Sequence, residues 1–246
     1  MPSLRLALRM MLVYFAVIAL ATTYRFVLND PPGDTMAMLR GLLPVQLFMA
    51  AFLVFVVTRF AGWAIVGFGP LQWPVLLWLC PSVFLMVMML WGLDLAQIYA
   101  QVGPGLWLLV LVPFLIGFSE ELMFRGLLLR GVMTRLPAGQ AMLLSAVCFA
   151  LLHGFNGIGL QAVWPTIQNM ALAFCVGFFL APLALKLGNL WPVIIWHAIW
   201  DLLVFSSQIS GLVHPGTLFA ILIQAVLCIW LWADMARQDN AVRNVA

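Results

Sequence analysis

Apolar residues run along this chain in stretches far longer than the buried stripe of a soluble helix, and the stretches break at Pro, Gly and isolated charges. Those breaks predict helices near 4–28, 41–62, 73–93, 106–133, 138–155, 161–187, 191–207 and 216–236. A hydrocarbon core about 30 Å thick takes about 20 residues of helix per crossing, so segments of this length and character read as membrane spans. Pro165, Pro182 and Pro192 fall inside or at the opening of the later segments, where membrane helices tolerate proline. There is no internal repeat, no low-complexity tract and no polar linker. The expected fold is all-α: a polytopic transmembrane helical bundle of about eight helices, with residues 1–246 forming one integral membrane domain.

Composition sharpens this picture. Of 246 residues, 65% are hydrophobic and 8% are charged, against roughly a quarter charged in soluble domains. The net charge of +3 is dispersed along the chain, so the basic patch that a nucleic-acid partner would require is absent. Cys80, Cys148, Cys175 and Cys228 each stand alone in an apolar run, which suits packing better than a redox or metal role. Positive residues concentrate in cytoplasmic loops. Eight crossings with a cytoplasmic N-terminus place Arg5, Arg9, Arg59, Arg130, Arg135, Lys186, Arg237 and Arg243 on one side and only Arg25 and Arg40 on the other. Both termini are therefore expected in the cytoplasm, and the short loops suit a bacterial inner (plasma) membrane. A cleaved leader, with Arg5 and Arg9 ahead of an apolar stretch and Ala19-Leu20-Ala21 behind it, ranks second because the apolar run continues to Leu28.

Ionisable side chains are costly inside a membrane span, so each one there points to function by default. The fourth helix carries Glu120, Glu121 and Arg125 directly after an apolar run. Glu121 and Arg125, four residues apart, share a helix face, whereas Glu120 is turned about 100° away. The fifth helix ends with Phe149 and His153 on one face, and the seventh carries His197 and Asp201, again four apart. Singly, these patches read as packing: a buried ion pair, an interfacial histidine, a packing hydrogen bond. Jointly, they hold nearly every ionisable residue of the second half outside loops and chain ends, which predicts three helices converging on one polar cavity. His214, beside Pro215, reads as a solvated loop residue.

The order E-E-x-x-x-R, F-x-x-x-H, H-x-x-x-(N or D) on separate membrane helices resembles the CAAX protease and bacteriocin-processing (Abi) family, which includes the type II CAAX prenyl endopeptidases. Residues Ser119-Glu120-Glu121-Leu122-Met123-Phe124-Arg125-Gly126 and Phe149-Ala150-Leu151-Leu152-His153 look like the first two motifs, and the likeness runs from Gly117 to about Leu203. The resemblance implies a CAAX protease-like core within 117–203 and an intramembrane glutamate endopeptidase needing no cofactor, with helices four, five and seven carrying the catalytic residues. Glu120 and His153 would activate water, Glu121 and Arg125 would support them, and His197 and Asp201 would stabilise the oxyanion. Asp201 donates a hydrogen bond only if protonated; otherwise it stays ionised and orients His197.

Two histidines and three carboxylates would also suit zinc, although H-E-x-x-H is absent. A non-catalytic membrane protein for bacteriocin self-immunity or partner scaffolding is the alternative of a different class, and a proton-coupled transporter ranks last for want of two related halves. The expected partners are a peptide or membrane-associated protein substrate and the lipid bilayer. Trp107, Trp164, Trp191, Trp196 and Trp200 are expected as interfacial anchors or cavity walls.

Overall fold

The structure, a computed structural model, describes residues 2–26, 33–158 and 162–211, and farther on 223, 224, 226, 228–235 and 237. The described residues are helical, with no strand beyond one isolated bridge. The helices are α1 (Leu4–Phe26), α2 (Thr35–Val56), α3 (Cys80–Trp91), α4 (Leu95–Val102), α5 (Leu106–Glu121), α6 (Leu129–Val132), α7 (Ala138–His153), α8 (Val163–Leu187) and α9 (Trp191–Ser210). Helical residues between 223 and 237 belong to the last predicted segment. Most of that segment's surroundings, His214 and Arg243, the predicted end of the first helix at 28 and the predicted start of the sixth at 161 lie outside the described residues.

Six stretches are long and apolar enough to cross a membrane: Leu4–Tyr24, Thr35–Ala61, Trp73–Trp91, Leu95–Val132, Val163–Leu187 and Trp191–Ser210. Together with the shorter apolar helix α7, they make the polytopic helical bundle that the apolar pattern predicted.

Two boundaries differ from that pattern, and both differences come from caps. Helix α2 starts at Thr35 rather than near 41, because the Asp34 side chain accepts from the Ala37 N–H at 2.7 Å. Helix α4 was not anticipated. Its residues fell between the predicted helices 73–93 and 106–133, but Asp94 accepts from the Gln97 N–H at 2.9 Å, and Ile98 and Val102 are buried. The turn Gly103–Gly105 then joins it to α5, so the fourth crossing extends back to Leu95.

The site helices are held by close approach rather than by bulk. A Cβ on Gly117 of α5 would lie 3.0 Å from both the Ala198 nitrogen and the Ile194 oxygen of α9. One on Gly177 of α8 would lie 3.0 Å from the Ala146 Cα of α7. Small residues at such crossings let backbones meet where lipid supplies no hydrophobic drive between helices.

One end of the bundle is closed by main-chain bonding. Gly188 takes a left-handed conformation (φ 68°) that stops α8. The segment after α2 then docks on this turn, with Gly69 N–H donating to Gly188 O (3.1 Å), Leu190 N–H to Gly67 O (2.8 Å) and Gln72 N–H to Leu187 O (2.9 Å). The Asn189 amide adds a bond to Gly69 O at 2.7 Å. Arg130 packs where a side chain on Gly67 would stand, and it donates to Ala184 O at 3.3 Å. Ala7 of α1 meets Gly131 of α6 at this same end.

Candidate active site

Helix α5 ends at Glu121, where the chain continues as a π-helical turn over Leu122–Leu128 before α6. Such turns widen a helix locally and recur at functional sites. Every residue of this turn is buried. The Ser145 hydroxyl of α7 donates to the Phe124 carbonyl at 2.9 Å, fixing α7 against the turn.

Glu121 and Arg125 form the pair that their spacing predicts: Arg125 Nη1 donates to Glu121 Oε1 at 2.9 Å, and both side chains are fully buried. The Arg125 guanidinium also lies 4.2 Å from the centre of the Phe149 ring on α7. The same Oε1 accepts from His197 Nδ1 of α9 at 2.8 Å. A carboxylate paired to arginine can only accept, so this bond assigns the proton to Nδ1 and turns Nε2 of His197 the other way. There, Nε2 lies 3.6 Å from Asp201 Oδ2 and 3.8 Å from Glu120 Oε2. The hydrogen bond that orients His197 thus comes from Glu121, while Asp201 faces its opposite nitrogen without a hydrogen bond to it.

Glu120 and Asp201 border a cavity of about 360 Å³, and His153 reaches it from the end of α7. His153 Nδ1 sits 3.0 Å from the Phe149 carbonyl. A carbonyl accepts, so that ring nitrogen carries the hydrogen and Nε2 keeps its lone pair. Oε2 of Glu120 has no hydrogen-bond partner among the described residues. The three helices predicted to converge therefore do so, with Glu121 and Arg125 packed behind the cavity and Glu120, His153 and Asp201 on its wall.

A further polar group escaped sequence reading. Ser119 lies 3.1 Å from the Tyr14 hydroxyl of α1 and donates to Gln46 Oε1 of α2 at 3.1 Å; all three residues are buried. Gln46 also lines the cavity, beside Asn169 of α8 and Gln208 of α9. The available signal was a lone glutamine within an apolar run and a serine next to the paired acids.

Of the tryptophans expected as anchors or walls, Trp107, Trp164 and Trp191 are exposed on the bundle surface. Trp196 and Trp200 are instead buried, stacked on each other at 5.5 Å, and Trp196 donates to Ser82. Neither borders the Glu120 cavity. Among the described residues, no group of three or more His, Cys, Asp or Glu side chains has the arrangement to hold a metal ion.

Residues 101–203 match the sequence model of the family described as type II CAAX prenyl endopeptidase Rce1-like. No curated protein and no solved structure matches the chain. The matched stretch runs from the end of α4 into α9 and contains all six site residues, and it supports a CAAX-type intramembrane protease in general terms. Over residues 101–203, this membrane protein is similar to the type II CAAX prenyl endopeptidase Rce1-like family, in keeping with the resemblance its motifs carry.

Proposed function

We propose that the chain is a glutamate-dependent intramembrane endopeptidase that cleaves a peptide or membrane-associated protein with a water molecule activated by Glu120 and His153. The observation that carries this reading is that Glu120, with a carboxylate oxygen lacking a hydrogen-bond partner among the described residues, and His153, with Nδ1 turned to the Phe149 carbonyl and a lone pair left on Nε2, line one cavity. A cavity of about 360 Å³ falls in the range of small ligand sites.

In this reading, Glu120 takes a proton from water as its oxygen bonds to the scissile carbonyl carbon, and His153 Nε2 accepts the water's second hydrogen bond and fixes its direction. Negative charge then develops on the carbonyl oxygen. His197, locked through Nδ1 by Glu121, acts as the imidazolium, protonated on both nitrogens, and offers Nε2–H to that oxygen. Collapse of the intermediate breaks the C–N bond, and the proton held by Glu120 passes to the leaving nitrogen. Arg125 neutralises Glu121 and leaves Glu120 free to act as a base.

The test is cleavage of a peptide library by detergent-purified protein, comparing wild type with Glu120→Gln and His153→Ala, each with and without a strong chelator. Cleavage by wild type, lost in both variants and indifferent to chelator, is the expected result. Cleavage abolished by chelator and restored by zinc would assign the chemistry to a metal instead. Folded wild type that cleaves nothing, with variants that still bind partners or protect cells, would favour the immunity or scaffold function.

A further inference from the structure

The two ends of the bundle differ in both access and charge. The closed end gathers the start of α1, the segment after α2, the end of α6, the turn between α8 and α9, and Asp234, which pairs with Lys186. The cavity extends the other way. Its wall includes Thr22 near the end of α1, Met38 near the start of α2, His153 at the end of α7, Asn169 near the start of α8 and Gln208 near the end of α9. At 1.5 Å per residue, Thr22 and Gln208 stand about 25 Å along their helices from the closed end.

Charge divides along the same axis. Arg5, Arg9, Arg59, Arg130, Arg135, Lys186 and Arg237 lie at the closed end, whereas Arg25 and Arg40 lie at the cavity end with Asp34 and Asp94. Lysine and arginine in short loops mark the cytoplasmic side. Among the described residues, the cavity wall contains Glu120 and Asp201 and no lysine or arginine. Among the described lining residues, a substrate's free C-terminal carboxylate would meet two acids and no lysine or arginine, whereas an internal peptide segment carries no such charge.

From this geometry we propose that the cavity opens to the non-cytoplasmic side of the membrane and receives an internal, uncharged or amine-bearing peptide segment from that side, not the carboxyl terminus of a cytoplasmic protein. The orientation stands on fold and charge alone; the substrate class rests on the peptidase reading above.

Single cysteines placed at Met38, Gln208, Arg59 and Arg135 of the full chain, probed in intact cells with a membrane-impermeant maleimide and quantified peptide by peptide, test the orientation. The expected result is labelling of Met38→Cys and Gln208→Cys in intact cells, with Arg59→Cys and Arg135→Cys labelled only after permeabilisation. The reverse pattern, or equal labelling of both sets, overturns the orientation. For the substrate class, one peptide with its scissile bond near the C-terminus is offered to detergent-purified protein as free acid and as amide. Faster cleavage of the amide is expected, and faster or equal cleavage of the acid overturns the proposed class. Cleavage of neither defeats the peptidase reading and the substrate class with it, while the labelling result keeps its own meaning.

Discussion

Glu120 and Glu121 are neighbours in sequence and belong to different regions of the molecule. Glu121 lies in an enclosed layer, where one of its oxygens receives Arg125 and His197 together and the guanidinium rests on Phe149. Glu120 lies on the cavity wall with an oxygen that lacks a hydrogen-bond partner among the described residues. A rotation of about 100° between adjacent residues is enough to separate them. Both carboxylates keep an Oε2 without a hydrogen-bond partner among the described residues, so what separates them is that Glu121 is ion-paired in a closed layer and Glu120 faces a space a reactant can fill.

The largest effect expected from breaking this division is on stability. Glu121→Ala leaves Arg125 buried and unpaired, which should cost about 3–5 kcal/mol. The variant should melt well below wild type in detergent or fail to accumulate in the membrane. Glu121→Gln combined with Arg125→Met removes both charges and should recover much of that stability, while cleavage stays low because His197 has lost the carboxylate that orients it.

Gly117→Ala addresses the contact that carries His197 to Glu121. The added methyl would press on the α9 backbone at 3.0 Å, an overpacking that costs about 1–3 kcal/mol. Its kcat should fall more than its melting temperature suggests, since His197 moves with α9. A smaller effect is expected at the border of the two layers. Ser119→Ala deletes the hydroxyl between Tyr14 and Gln46, and interhelical hydrogen bonds in membranes average about 0.6 kcal/mol. The melting temperature should barely change. A rise in KM at constant kcat would show that Gln46 helps hold the substrate, and an unchanged KM would confine the three residues to packing.

What the sequence could reveal followed from what spacing fixes. Apolar runs locate helices because burial in lipid demands them, and a separation of four residues puts Glu121 with Arg125, or His197 near Asp201, on one helix face. Spacing carries no information about contacts between helices, so the bond from His197 to Glu121 was not legible, and orienting His197 remained one of two roles open to Asp201. The π-helical turn over Leu122–Leu128 is a change of hydrogen-bond register that no residue in it announces. Helix α4 was hidden because Asp94 and two glutamines look like a loop until the cap and the buried Ile98 and Val102 are seen together. Tyr14 and Gln46 were passed over because α1 and α2 resembled nothing beyond membrane helices.

The most direct test of the division between the two glutamates is single-turnover cleavage by Glu120→Gln, measured beside its melting curve. The amide keeps the shape of the side chain and cannot accept a proton from water. The variant should therefore melt like wild type and cleave slower by a factor on the order of 10² to 10⁴, the range typical of general acid–base catalysis. A variant that melts like wild type and cleaves at the wild-type rate would contradict the account and move the catalytic base elsewhere in the cavity.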